Sequence, residues 1–285
     1  MIKDRLNTVL NCAGMRLSTT RLERLEQARL NKLAAGGHWA TAPFQWGLGL
    51  EPHRYLEFLH TVCGPYSSDL SDLPNADIGD DGYFRSNGWF ESIDADVLYG
   101  VVRHFRPARI IEIGSGHSSR LAARAISDGE LATKLVCVDP GPRVEIRRCA
   151  DEYIQSPVEE LPVAELAERL DANDLLFIDS SHVITTGGDV PFLYLQVLPH
   201  LRPGVLVHAH DIFLPFEYPQ EFVVRQRWGW NEQYLLYALL IGNSDFEILW
   251  PSCYMWQSHQ DQVRSVIVAE KYFPPPSSFW LRKKT

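Results

Sequence analysis

The residues of this chain best suited to chemistry lie in two short groups, Asp179-Ser-Ser-His182 and His208-Ala-His210-Asp211. Each follows a compact apolar run, Leu175 to Ile178 for the first and Val205 to Val207 for the second. In open α/β sheets ligands bind at the carboxyl ends of the strands, so two such runs lying side by side and parallel would bring the groups into one cleft. Together they offer two carboxylates and three imidazoles, enough for a divalent cation and a general base. Asp179 and Asp211 suit Mg²⁺ or Mn²⁺, and an imidazole from His210 as a further metal ligand shifts the preference toward Mn²⁺, Fe²⁺ or Zn²⁺. His208 shares the face of His210 one pleat deeper and reads as a supporting histidine before a ligand. An imidazole with an ordinary pKa near ~6.5 suits His182 to proton abstraction at neutral pH, with Asp179 beside it as a second catalytic group.

A second constellation precedes these. The run IIEIGSGHSS, Ile110 to Ser119, reads as a buried strand with Glu112 near its end, a turn of Gly114, Ser115 and Gly116, and a helix from Ser118. Gly114 permits a tight turn, and Gly116 lets the backbone approach a ligand at a helix N-terminus, where free N–H groups favour an anion. Ser119 stands where the dinucleotide fingerprint has its third glycine, which argues against a nicotinamide or flavin cofactor. The next apolar run, Leu135 to Val138, ends in Asp139, where an acid accepts hydrogen bonds from both hydroxyls of a ribose. The two features in this order, near the ~20-residue interval of nucleotide sites, point to a sugar-bearing ligand.

These groups need a scaffold that places strand ends together. Apolar runs at Ile110–Ile113, Leu135–Val138, Leu175–Ile178 and Val205–Val207 alternate with helical stretches at Ser118–Ile126, Val163–Leu170 and Asp189–Leu198. Short runs apolar on both faces are central strands of a parallel sheet covered on both sides, so the fold class is α/β, a doubly wound sheet. A helix is expected at Asn231–Leu240, and Phe246–Trp250 and Phe279–Arg282 are late strands of an antiparallel edge, joined by an excursion in which Pro274, Pro275 and Pro276 forbid regular structure. Upstream, amphipathic helices are expected at Leu17–Leu33 and Pro52–Val62, and the Gly-, Pro-, Ser- and Asp-rich stretch Gly64–Gly88 reads as a surface loop. The chain divides into a helical N-terminal extension and loop, 1–85, and a main domain, 86–285. Aromatic residues crowd the segment after Asp211, from Phe213, Phe216, Tyr218 and Phe222 to Trp228, Trp230 and Tyr234, with Arg225, Arg227, Asn231 and Glu232 among them. Most of these rings belong in a core; the remainder, with the polar groups among them, suit an acceptor pocket or its lid, since sugars stack on aromatic faces and bond to such polar groups, and Arg225 and Arg227 suit an anionic acceptor.

Glu112, Gly114, Gly116 and Asp139 together resemble the class I S-adenosylmethionine-dependent methyltransferases, over about Trp89 to Arg282. The resemblance implies a seven-stranded Rossmann-like sheet with an antiparallel last strand. It also implies S-adenosylmethionine as cofactor, with the glycine turn (Ser115 and Ser118 included) at its methionine part, Asp139 at its ribose, and its adenine near Ser156 and Val158. Within that class, Asp179, His182 and Asp211 are similar to the pattern of metal-dependent sugar O-methyltransferases of the macrocin O-methyltransferase type and the related cephalosporin-hydroxylase group. There Asp179 and Asp211 correspond to metal ligands and His182 to the general base, while His210 stands where that group has a glutamate. The implied reaction is metal-assisted methyl transfer to a hydroxyl of a glycosyl or polyol acceptor, with Mg, Mn or Fe as the metal. The alternatives are a hydroxylase-like oxidoreductase using iron, a non-catalytic cofactor-binding module, and N-methylation.

Composition sets outer bounds. The chain has 285 residues, 45% hydrophobic and 22% charged, a globular balance with ample material for a core. A formal charge of −9 disfavours nucleic acid and anionic membrane surfaces as partners. Five scattered cysteines, none in a CxxC spacing, argue against a disulfide framework and fit a reducing cytoplasm. Lys3, Asp4, Arg5 and Arg16 make Met1–Leu17 a poor secretory signal, and no stretch approaches the ~18 apolar residues of a membrane span. An exposed amphipathic helix near the N-terminus suits a cover for the cleft or a homo-oligomer contact.

Overall fold

The structure is a computed structural model that describes residues 7, 10–12, 20–79, 81–267 and 275–285. The start of the helix expected from Leu17, most of the Met1–Leu17 segment, Asp80 and Pro274 lie outside the described residues. Two compact units emerge, one of Met1–Thr41 with Pro219–Trp228, the other of Ala42–Tyr218 with Gly229–Thr285. In the first unit, helix α1 (Arg21–Ala35) buries Leu30 and ends at Gly36. There the Phe222 and Trp228 rings pack 4.4 Å apart, and the Arg227 guanidinium donates to Gln27 Oε1 at 2.6 Å.

The second unit is built on a seven-stranded sheet of order β3-β2-β1-β4-β5-β7-β6. Its strands are β1 (Arg109–Ile113), β2 (Lys134–Val138), β3 (Glu152–Ile154), β4 (Leu175–Ile178), β5 (Leu206–Ala209), β6 (Phe246–Pro251) and β7 (Phe279–Lys283). Strands β1 to β5 pair in parallel, and β7 runs antiparallel to both β5 and β6. The doubly wound sheet with an antiparallel late pair read from the sequence is therefore the observed architecture. Burial follows the two-residue period: Leu135 and Cys137 enter one core, Val136 and Val138 the other, and Leu175 with Phe177 alternate likewise with Leu176 and Ile178. Each such large apolar side chain contributes about 1.5–3 kcal/mol by leaving water.

The first core is covered by α2 (Pro52–Cys63), α3 (Ser92–Phe105) and α4 (His117–Asp128). Helix α3 has no counterpart in the sequence expectations, because Asp94 and Asp96 interrupt its apolar pattern although both are buried. Each aspartate has a partner: Asp94 accepts the N–H groups of Ser277 and Ser278, and Asp96 pairs with Arg85 at 3.0 Å. Gly100 lets α3 meet α2 backbone to backbone, since a Cβ there would stand 2.3 Å from the Val62 carbonyl oxygen. Beyond these helices come α5 (Glu232–Leu240) over the second core and α6 (Ser252–Arg264), which fills much of the excursion before β7. The excursion therefore holds a helix, while the described prolines Pro275 and Pro276 do lie outside regular structure.

The stretch Gly64–Gly88 departs from the surface loop expected of its composition. It contains a helical turn at Gly64–Tyr66, a short helix at Ser67–Ser71, and buried Leu70, Leu73 and Tyr83. Three apolar anchors at wide spacing hold down a turn-rich chain, a signal that composition averages away. Among the described residues, no helix is long and apolar enough to cross a membrane.

Candidate active site at the strand tips

At the end of β1 the chain turns through Gly114, whose φ of +81° an L side chain rarely adopts. A Cβ at Gly114 would stand 1.8 Å from the Asp179 carbonyl oxygen, so this glycine lets the β1 turn lie directly on the tip of β4. Gly116, the residue before α4, has nothing within 4 Å of its Cβ position, an open cradle at a helix start where a ligand can meet backbone N–H groups. Asp139, just past β2, accepts the Ser115 N–H at 2.7 Å through one oxygen and the Gly141 N–H at 2.7 Å through the other. Ser156 and Val158 follow β3, Ser156 with its hydroxyl 3.2 Å from Glu160 Oε2 and Val158 buried in the second core.

Glu112 does not face open space. Its carboxylate is buried beneath α4 and accepts the hydroxyls of Ser118, at 2.5 Å, and Ser119. Burial raises its pKa to about 7 against the opposing hydrogen bonds of Ser118, Ser119 and Cys137. A carboxyl that holds its proton to higher pH in the folded chain than in the unfolded one makes the fold most stable below its ordinary pKa of 4.5, with stability lost as pH rises to about 7. Urea unfolding of the wild type between pH 4.5 and 7.5 should show this loss, on the order of 2–3 kcal/mol from this group. Glu112→Gln should flatten the profile by that amount; an unchanged slope in the variant would contradict the assignment.

The Asp179 and Asp211 groups meet as the sheet requires. Strands β4 and β5 pair directly, Ile178 opposite Ala209, so the residues after them share one rim. His182 Nε2 lies 3.3 Å from Asp179 Oδ1 and 3.4 Å from Asp211 Oδ2. One donor atom from each of Asp179, His182 and Asp211 falls within 4.8 Å of the others. His182 and Asp211 hold backbone conformations with φ of +60° and +56°, unusual for non-glycine residues and typical of sites where surroundings over-determine the backbone. Burial lowers the pKa of His182, yet Asp179, Glu232 and Asp211 outweigh it and hold it well above the usual imidazole range. For Asp179, burial is outweighed by His210 and His182, which bring its pKa to about 2.

His210 lies behind this triad, with Nε2 4.0 Å from Asp211 Oδ1 and Nδ1 buried without a hydrogen-bond partner among the described residues. Its ring sits 5.1 Å from that of Phe90. His208 is fully buried, stacked 3.9 Å from Phe177, with Nε2 2.8 Å from Ser278 Oγ. Ser277 Oγ donates to Asp211 Oδ1 at 3.1 Å, which ties the start of β7 to the same rim.

Two features of the site, Phe90 and Asn87, have no forerunner in the sequence expectations, and a third, Glu232, expected among the polar groups of an acceptor pocket, is instead a partner of His182. Glu232, completely buried at the start of α5, accepts from Tyr194 at 2.7 Å and lies 2.8 Å from His182 Nδ1. Phe90, from the stretch before α3, stands among Phe177, His208 and His210. Asn87 holds that stretch by accepting the N–H groups of Trp89 and Phe90 and donating to the Phe84 and Phe90 carbonyls. Of the aromatic segment, Phe213 and Tyr218 are core residues, while the Trp230 ring packs 4.7 Å from that of His182. Arg225 pairs with Glu221.

Residues 111–212 match a family model described as a methyltransferase domain. A curated relative, an uncharacterized protein of Archaeoglobus fulgidus, is 30% identical over 125 residues, 42% of this chain and 55% of that protein; the chain thus spans about half the length of the relative it matches. Among solved structures, an O-methyltransferase of Bacillus cereus in complex with S-adenosylhomocysteine is 14% identical over 81% of this chain and 90% of its own, with a TM-score of 0.41. An S-adenosylhomocysteine-bound methyltransferase of Podospora anserina is 16% identical over 95% of this chain and 100% of its own, with a TM-score of 0.43.

Proposed function

We propose that this chain, which has the class I S-adenosylmethionine-dependent methyltransferase fold, is an O-methyltransferase that uses S-adenosylmethionine and a divalent cation to methylate a hydroxyl of a sugar or other polyol. The observation that carries the reading is the convergence of Asp179, His182 and Asp211 donor atoms within 4.8 Å on the rim next to the glycine turn. Two carboxylate oxygens and one imidazole nitrogen form a donor set suited to Mg²⁺, Mn²⁺ or Fe²⁺. When bound, the donor brings an electrophilic methyl group and the cation lowers the pKa of an acceptor hydroxyl.

The chain's own residues supply position and charge. Gly116 leaves room for the donor against the α4 backbone, and Asp139 at the β2 tip is sited to take ribose hydroxyls in exchange for its present backbone partners. Gly114 presses the glycine turn onto Asp179, so a donor held at that turn would lie beside the carboxylates that would hold the cation, and proximity of this kind is a large source of rate in a bimolecular displacement. A base role and a ligand role for His182 both use Nε2, and its near-equal reach to the two carboxylates favours the ligand role. His210, buried behind Asp211, adds a second imidazole to the rim. The Trp230 ring beside His182 offers an aromatic face to a sugar.

Calorimetric titration with S-adenosylhomocysteine, with and without Mn²⁺, and labelled methyl transfer to a panel of glycosides and polyols test this directly. Donor binding and Mn²⁺-stimulated labelling of a hydroxyl are expected. Failure to bind the donor would overturn the reading; oxygen consumption with iron in place of labelling would favour an oxidoreductase. In His182→Ala, weakened Mn²⁺ binding is the mark of a ligand, whereas retained Mn²⁺ binding with slowed transfer is the mark of a base.

A further inference from the structure

We propose that Glu232 is a positioning residue that aims the His182 imidazole at Asp179 and Asp211, an inference that rests on the reading of those three residues as a cation site. Glu232 is 0% exposed, and a carboxylate taken wholly out of water costs several kcal/mol unless its oxygens are engaged. Both are engaged: Oε2 lies 2.8 Å from His182 Nδ1, and Oε1 accepts the hydroxyl of Tyr194, itself 1% exposed, at 2.7 Å. Among the described residues, the ion-pair partner of Glu232 is His182.

The backbone reinforces the side chain. His182 sits at φ +60°, and its carbonyl oxygen accepts the N–H groups of Asn231, at 3.0 Å, and Glu232, at 3.2 Å. The Asn231 side chain in turn accepts the Ile184 N–H at 2.5 Å. The start of α5 thus fixes where the imidazole begins, and the Glu232 carboxylate fixes how it is rotated. With Nδ1–H donated to Glu232, Nε2 is left facing the two aspartates. Metal-ligating histidines are oriented in this manner by a carboxylate on the other ring nitrogen, and loss of that carboxylate weakens metal affinity about ten- to hundredfold.

Two measurements on the full chain separate this inference from the reading beneath it. The first is the ¹H–¹⁵N signal of the proton on His182 Nδ1, which a buried carboxylate shifts downfield and shields from exchange. The second is Mn²⁺ affinity by electron paramagnetic resonance. Glu232→Gln is expected to lose or strongly shift the imidazole proton signal and to weaken Mn²⁺ binding about ten- to hundredfold. Tyr194→Phe, which removes one donor to Glu232 and little volume, should move both readouts in the same direction, with affinity down roughly two- to tenfold. A folded Glu232→Gln protein with an unchanged signal and unchanged Mn²⁺ affinity overturns the proposal. If that variant does not fold, an unchanged signal and affinity in Tyr194→Phe do so instead. If the wild type retains no Mn²⁺ yet its imidazole proton vanishes in Glu232→Gln, the cation reading fails and the positioning role stands.

Discussion

Asp211→Asn is expected to abolish Mn²⁺ retention while leaving S-adenosylhomocysteine affinity within about threefold of the wild type. Asparagine tolerates the left-handed backbone that Asp211 adopts at φ +56°, so the substitution tests charge rather than folding. Asp211 addresses His182 Nε2 with one oxygen and is held by Ser277 through the other, so replacing one oxygen by an amide removes an anion from the triad while a neighbouring contact survives. Asp179→Asn should behave alike. Loss of a cation that stabilises developing charge is worth several kcal/mol, so methyl transfer should fall on the order of 10³-fold. Transfer that persists near the wild-type rate in both variants would mean the carboxylates have no part in the reaction, and Mn²⁺ retained by both would mean the cation sits elsewhere.

Gly114→Ala and Gly116→Ala are expected to fail in opposite ways, although the two glycines stand two positions apart in the same turn. At Gly114 a methyl group would overlap the Asp179 carbonyl, and φ of +81° penalises any side chain, so the sheet tip must shift. Stability should fall by about 3–5 kcal/mol, a drop in melting temperature of roughly 10 °C or more, and donor and Mn²⁺ binding should suffer together because the turn rests on Asp179. At Gly116 the methyl meets nothing, so the melting temperature should hold within a few degrees. Donor affinity should nevertheless fall about five- to hundredfold, as the methyl would occupy the seat proposed for the donor. Thermal unfolding and donor calorimetry on the pair read this out. A Gly116→Ala protein that binds the donor normally would place the donor away from the turn.

The strands were legible because their residues alternate between two cores. Ile110 to Ile113, Leu135 to Val138 and Leu175 to Ile178 are apolar at every position except Glu112, and that exception is itself informative: its carboxylate is satisfied locally by Ser118 and Ser119, six and seven residues on. Helix α3 was not legible. Asp94 and Asp96 look like surface residues until the partners that neutralise them, the Ser277 and Ser278 N–H groups and Arg85, are brought alongside. The short helix in Gly64–Gly88 was hidden likewise, by a composition dominated by turn formers around a few buried anchors.

The same division runs through the site. The sequence alone determined that Asp179, His182, His210 and Asp211 share the carboxyl rim of a parallel sheet, because strand periodicity and the order of apolar runs are local properties that dictate where each strand ends. It also determined the glycine turn and the acid after the next strand. Only the tertiary structure decided that His182 Nε2 lies nearer both carboxylates than His210 does to Asp211, and that Glu232, fifty residues away in sequence, grips the other side of that ring. Rotation of an imidazole about its side-chain bonds is fixed by atoms packed around it, and residues that meet only after the chain has closed leave no periodic trace along it.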